Sequence, residues 1–266
     1  MCTGVTDRSS AFRGAAEYYD RFRPPYPQAL VDDLRVWAGV TDRGRLLDLA
    51  CGTGELALRL CSSFREVWAV DLEPEMVEVG RAKAARVGAG NVRWTVGRAE
   101  DVGAPPGSFE LITIGNAFHR LDRHLIAARA LDWLTPGGCL AIPNTDSVWA
   151  GDELWQAVAV EVIRRWTGAG GRSCSANADE PRQPHEACLA DSGFVRVEEH
   201  RFEIEHVWTL DSFVGYLYST SIVAAVVRAG ASAGFEAELR AALLAHDPAG
   251  RYPETLRFST ILAAAR

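Results

Sequence analysis

Between Arg45 and Pro143 the chain alternates short apolar runs with longer stretches of helical periodicity, and that alternation leaves few folds open. The apolar runs are Arg45–Ala50, Glu66–Leu72, Asn91–Val96, Phe109–Asn116 and Cys139–Pro143. Glu55–Ser62, Glu73–Val87 and Leu121–Leu134 fill the gaps with helix-like spacing. Leu46-Leu47-Asp48-Leu49-Ala50 and Leu111-Ile112-Thr113-Ile114 are apolar at nearly every position, which suits strands covered on both faces. Strand and helix in strict turn require right-handed crossovers and a doubly wound, mostly parallel sheet. The expected class is therefore α/β.

Outside that core the pattern changes. Residues 1–40 read as a cap segment with a helix after the rigid Pro24-Pro25-Tyr26-Pro27 turn, on which Leu30, Val31, Leu34 and Trp37 share a face. Residues 41–144 are the ligand-binding core. Residues 145–250 supply a second cap and further sheet elements: helices over Trp149–Trp166, His185–Ser192, Leu210–Arg228 and Phe235–Ala245, and a strand over Val195–Val207. Gly168–Pro184 is rich in Gly, Ser, Asn and Pro and reads as a lid or a surface insertion. Residues 251–266 end in a strand, Thr255–Ala264, that completes the sheet. Trp149, Trp155 and Trp208 read as core residues.

The sharpest local motif is Leu46-Leu47-Asp48-Leu49-Ala50-Cys51-Gly52-Thr53-Gly54-Glu55-Leu56. A strand ends, two glycines allow a tight turn, and a helix begins, so that an adenosine-bearing ligand can approach the backbone. Asp71, at the end of the next strand, can accept hydrogen bonds from both ribose hydroxyls. Gly52-x-Gly54-x-x-Ala57 also fits a dinucleotide fingerprint, so a nicotinamide-dependent oxidoreductase stays open. Asp48 weighs against it, because a pyrophosphate gains nothing from a nearby carboxylate while the ammonium of an amino acid does.

Composition excludes other classes. Lys83 is the chain's one lysine and follows Arg-Ala, so no G-x-x-x-x-G-K-[ST] phosphate loop exists. Net charge is −7 with no basic stripe, which disfavours nucleic acid. Six cysteines form no C-x-x-C pair and no Cys/His zinc spacing; Cys51, Cys61 and Cys139 read as small core residues. No metal site is expected. Neither a signal peptide nor a membrane-length apolar run is present, so the expected setting is the reducing cytoplasm, away from membranes.

The segment Leu46–Glu55 followed by Val70-Asp71-Leu72-Glu73-Pro74-Glu75-Met76 resembles the class I S-adenosylmethionine-dependent methyltransferases. The likeness continues through Gly97-Arg98-Ala99-Glu100-Asp101-Val102, Ser108-Phe109-Glu110-Leu111-Ile112, Asn116-Ala117-Phe118-His119 and Leu134-Thr135-Pro136-Gly137-Gly138. Tyr-Asp-Arg-Phe-Arg-Pro-Pro-Tyr-Pro at 19–27 narrows it to small-molecule members related to bacterial trans-aconitate methyltransferase, and Phe213–Ser219 resembles their acceptor-side helix. Two positions depart from the family: Arg98 stands where an Asp is usual, and Arg120 where Trp is frequent.

The resemblance implies a Rossmann-like sheet of seven strands, S-adenosylmethionine as cofactor and a small molecule as methyl acceptor. It implies cofactor contacts from Tyr19, Arg23, Asp48, Ala50, Gly52, Gly54, Asp71, Leu72 or Met76, Ala99, Glu100, Asn116 and Ala117. In that scheme Asp71 holds the ribose, Glu100 reads the adenine amine and Arg23 forks the carboxylate. His119 is the candidate base, with a structural histidine as the alternative, and Tyr18 closes over the sulfonium. Tyr26, Phe118, Trp166, Tyr216 and Tyr218 are assigned to the acceptor. A methyltransferase-like fold that keeps the cofactor for other chemistry, such as a cyclisation, is a further alternative.

Overall fold

A computed structural model describes residues 12–39, 44–168 and 184–265. They form two compact units, each assembled from separate stretches of chain. Of the described residues, 24–39, 44–151, 184–206 and 253–265 make one unit, and 12–23, 152–168 and 207–252 the other. Both divide the chain differently from the four consecutive segments expected from the sequence.

The first unit is built on the sheet. Its elements begin with α2 (Gln28–Trp37), which follows α1 (Ala16–Phe22) of the other unit. There follow β1 (Arg45–Leu49), α3 (Glu55–Leu60), β2 (Glu66–Asp71), α4 (Pro74–Val87), β3 (Val92–Val96), β4 (Phe109–Thr113), α5 (Arg123–Trp133) and β5 (Leu134–Thr145). Further along come α7 (His185–Asp191), β6 (Arg196–Thr209) and β7 (Arg251–Ala264), with α6 (Leu154–Thr167) preceding α7 in the chain. The seven strands are ordered β3-β2-β1-β4-β5-β7-β6. β1 to β5 are parallel, and β7 returns antiparallel to β5, pairing Cys139 with Ala264 and Thr145 with Phe258. The expected mostly parallel seven-stranded fold is present.

Leu46, Leu47, Leu49, Leu111 and Ile112 are fully buried, as continuous apolar runs demand of central parallel strands. β5 is longer than expected, because the chain leaves α5 at Trp133 directly into strand conformation at Leu134. The neighbours β1 and β4 belong to crossovers running in opposite directions. Their carboxyl ends are therefore the switch point where ligands of open α/β sheets bind.

The second unit is helical: α1, α6, α8 (Leu210–Tyr218), α9 (Ala224–Arg228) and α10 (Ser232–His246). The helix expected over Leu210–Arg228 is two helices. Ser219 Oγ donates to Tyr216 O (2.6 Å) and Thr220 Oγ1 to Leu217 O (2.7 Å), so side chains consume carbonyls that a continuing helix would need. Gly215 of α8 lies flat against the Phe22 ring of α1, with no room for a Cβ. Trp155, Trp208, Phe213 and Tyr216 form an aromatic cluster, Trp155 and Phe213 meeting edge to face at 4.9 Å. Trp155 and Trp208 are buried as expected, and Trp149 of the sheet unit only partly.

Candidate cofactor site

Two residues other than glycine adopt left-handed backbone in the described chain: Ala50 (φ 52°) and Asn116 (φ 51°). One ends β1 and the other follows β4, so both strained positions lie at the switch point. Such conformations cost on the order of 1–3 kcal/mol and persist where the surroundings enforce them. Gly52 (φ 55°) and Gly54 (φ 78°) complete the turn into α3.

Internal hydrogen bonds hold this turn. Cys51 N donates to Val70 O (3.0 Å) and Gly54 N to Cys51 O (2.9 Å). Gly52 N donates to Asp71 Oδ2 (2.8 Å), and Ala57 N, in the first turn of α3, to Asp48 Oδ2 (3.2 Å). The N–H groups of Gly52, Gly54 and Ala57 are thus already used.

Asp71 is the best-placed ligand group. Oδ2 accepts from Gly52 N and Oδ1 from Glu73 N (2.9 Å). Each carboxylate oxygen keeps a second lone pair, so both can accept from a ribose diol while the backbone bonds fix the carboxylate's plane. Burial pushes its pKa up, while the N–H bonds from Glu73 and Gly52 and the nearby Arg120 charge hold it down. Arg120, where Trp is frequent in the family the chain resembles, thus adds a positive charge near this acid. Leu72 and Val96, at the carboxyl ends of β2 and β3, leave apolar side chains exposed next to Asp71. That surface suits an adenine face. Met76, the other candidate for this contact, is buried in α4, whereas Leu72 is exposed.

Asp48 lies beneath the loop, 1% exposed. It accepts from Thr113 Oγ1 (2.7 Å) and Ala57 N, tying β1 to β4 and to the start of α3. Desolvation pushes its pKa up to about 7 from 3.8, so the folded protein keeps a proton that the unfolded chain gives up. Stability from this group is full below the unfolded value of 3.8 and is lost as pH rises through about 7. Asp48→Asn should accordingly flatten the fall in melting temperature between those limits. Parallel melting curves for variant and wild type across that range would contradict the assignment.

Other expected site residues have found partners. Glu100 Oε1 accepts from Asp122 N at the start of α5 (3.1 Å), and Oε2 pairs with Arg98 (3.4 Å), so its carboxylate is already engaged. Ala99 and Ala117 are buried, leaving their backbone as the part able to meet a ligand. Phe118 is fully buried in the core and meets His185 edge to face at 5.1 Å; it packs and does not line an acceptor space. His119, partly buried, sits in a single 3-10 turn, Phe118–Arg120, beyond β4.

In the helical unit, the Arg23 guanidinium lies over the rings of Tyr19 (4.9 Å) and Tyr216 (5.4 Å), and Nη2 donates to Ser219 O (3.1 Å). Tyr18 is 42% exposed and packs on Phe22 and Tyr218. Tyr218's hydroxyl is 3.3 Å from both Glu236 Oε2 and Ser232 O; burial first, then Glu236, pushes its pKa up to about 12. Trp166 Nε1 donates to Glu238 (2.6 Å). The loop at 169–183 expected to act as a lid lies outside the described residues.

Among the described residues no group of three or more His, Cys, Asp or Glu is placed to hold a metal. No helix there is long and apolar enough to cross a membrane.

Residues 46–138 match the family described as Methyltransferase domain. An uncharacterized methyltransferase of Mycobacterium tuberculosis is 33% identical over 142 residues, 53% of this chain and 55% of that protein. The chain thus spans about half the length of that relative. A ubiquinone/menaquinone biosynthesis C-methyltransferase of Methylobacterium nodulans is 31% identical over 172 residues, 58% of this chain and 66% of that protein. A solved structure from Anaeromyxobacter dehalogenans, described as a candidate type II methyltransferase, superposes with a TM-score of 0.64. It is 27% identical and covers 92% of this chain and 98% of its own.

Residues 46–138 thus carry a methyltransferase domain, and the chain is similar to methyltransferases beyond it in sequence and in fold. The residues present fit S-adenosylmethionine: a carboxylate whose two oxygens each keep a lone pair for a ribose, exposed apolar strand ends for an adenine, and a glycine turn into a helix.

The structure also brings to this region residues that the sequence did not single out. Gly115 and Thr145 hold Tyr26 and Asn116 in place, and Trp94 explains two glycines at once. The available signal was the Gly115-Asn116 pair after an apolar run, a combination that marks a backbone turn.

Proposed function

We propose that this methyltransferase moves a methyl group from S-adenosylmethionine to a nitrogen or oxygen atom of a small, partly hydrophobic metabolite. The observation that carries the cofactor side is Asp71 at the end of β2. Gly52 N and Glu73 N fix its carboxylate, each oxygen keeps a lone pair for a ribose hydroxyl, and the exposed apolar side chains of Leu72 and Val96 lie beside it. A net charge of −7 supports a small acceptor over a nucleic acid. The relation to trans-aconitate-type enzymes belongs to the same reading.

When bound, the cofactor supplies a methyl group on a positively charged sulfur, open to direct displacement. What the protein adds is alignment and exclusion of water, which together can account for much of the barrier reduction. Asp71 holds the ribose and Leu72 the adenine. His119 serves as base where the acceptor carries a proton, and Tyr18 offers an exposed aromatic face to the cation. Trp166 and Tyr218 stay assigned to the acceptor by the resemblance, while Tyr216, buried against Trp208, Phe213 and the Arg23 guanidinium, packs.

Thermal shift tests the cofactor and a labelled-methyl assay the transfer. S-adenosylhomocysteine should raise the melting temperature while NAD leaves it unchanged. Stabilisation by NAD alone would overturn the reading. Radiolabel from S-adenosylmethionine should appear in members of a panel of small amines, phenols and carboxylic acids.

A further inference from the structure

Within the sheet unit, one aromatic ring is pressed against the glycine turn. Trp94 stands on β3 beside Ala69 of β2, and its ring spans from Gly54, at the start of α3, to Gly80 in α4. A Cβ on Gly54 would collide with Trp94 Cη2 and stand 3.0 Å from Cζ3. One on Gly80 would collide with the same two atoms and stand 3.1 Å from Cε3. Both bare glycines therefore lie on the far edge of the six-membered ring.

That position has a cost. Trp94 Nε1 is buried and has no hydrogen-bond partner among the described residues, whereas a buried indole N–H ordinarily finds one. What the indole supplies instead is reach. Cη2 and Cζ3 lie farther from the backbone than any atom of a phenyl ring, so a phenylalanine on β3 would leave the two glycines uncovered.

The contact with Gly54 bears on the ligand group. In its left-handed conformation Gly54 closes the turn at both ends: its N–H donates to Cys51 O (2.9 Å), and its carbonyl accepts from Leu58 N in α3 (2.9 Å). Between Cys51 and Gly54 lies Gly52, whose N–H holds Asp71 Oδ2 at 2.8 Å. Indole edge, Gly54, Gly52 and carboxylate are thus joined without a gap. A closed turn in a close-packed interior moves as a unit, so whatever sets Gly54 also sets the N–H that orients Asp71. We infer that Trp94 is a positioning residue of the cofactor site, fixing through Gly54 and Gly52 the plane in which the Asp71 carboxylate meets a ribose. The inference rests on Asp71 holding the ribose, as in the proposed function.

Calorimetry with S-adenosylhomocysteine on the whole chain tests it. Trp94→Phe keeps an aromatic side chain on β3 but withdraws the edge that meets Gly54, and should weaken binding about five-fold. In an Asp71→Ala background no carboxylate remains to be oriented, and the same change should cost less than about two-fold. A tryptophan that only supported the fold would lower the melting temperature while leaving the folded protein's affinity unchanged, or would act equally in both backgrounds. Gly80→Ala presses on the same ring from α4 and serves where Trp94→Phe fails to fold; its loss should depend on Asp71 in the same way. Affinity within about two-fold of wild type, or a loss of equal size with and without Asp71, overturns the inference. Wild-type protein that does not bind S-adenosylhomocysteine overturns the cofactor reading, and Asp71→Ala that binds like wild type overturns the ribose assignment. Both of those outcomes are visible before Trp94 is changed.

Discussion

Gly54→Val should abolish cofactor binding and destabilise the domain by about 3 kcal/mol or more, for two separable reasons. The first is backbone: at φ 78° a β-branched residue is strained in any surroundings. The second is packing. A Cβ at Gly54 would come within 2.2 Å of Trp94 Cη2, and one at Gly80 on α4 within 2.3 Å of Trp94 Cζ3. Trp94 of β3 therefore lies across both glycines, and the obstacle to a side chain at Gly54 is the protein's own tryptophan before it is the ligand. Gly80 is helical, so Gly80→Ala meets the packing penalty alone, on the order of 1–3 kcal/mol. Trp94→Leu should largely rescue Gly80→Ala in urea unfolding but leave Gly54→Val impaired. Equal rescue of both would show that backbone strain at Gly54 is unimportant.

Asp71→Ala should weaken S-adenosylhomocysteine by ten-fold or more, since hydrogen bonds to a charged group contribute about 1.5–3 kcal/mol each. It removes the ribose partner and also releases the N–H groups of Gly52 and Glu73 that the carboxylate now holds. Because the ribose is common to S-adenosylhomocysteine and 5′-methylthioadenosine, which lacks the amino acid, the shorter ligand should lose affinity in parallel. An unchanged dissociation constant for S-adenosylhomocysteine would remove Asp71 from the site. Should the variant unfold, Asp71→Asn keeps the shape and one acceptor oxygen while halving the acceptor capacity, and a smaller loss is expected.

These two positions also show how far local pattern carries. Apolar run, double glycine, helix, then an acid at the next strand's end is a local code. Each part is dictated by neighbouring backbone geometry, so the sheet, its parallel strands and the place of Asp71 could be read along the chain. Helix ends were less legible: the break after Tyr218 depends on Ser219 and Thr220 hydroxyls turning back onto Tyr216 and Leu217 carbonyls, a choice their rotamers make only in context.

Side-chain roles were decided by tertiary contacts between residues far apart in sequence. Asp48 looked like a ligand group, but Thr113 and Ala57 occupy its two oxygens and burial lifts its pKa. Glu100 looked like the adenine reader, and its carboxylate is already bonded to Asp122 N and paired with Arg98. Phe118 looked like acceptor lining and is core. Tyr26 and Asn116, 90 positions apart, meet because Gly115 has no side chain. By itself the sequence determined the alternation, the turn and the acid, because periodicity and backbone conformation are properties of adjacent residues. Which polar groups remain available to a ligand was decided only on folding, because each buried donor or acceptor must find a partner and takes whichever one the packed strands and helices bring within reach.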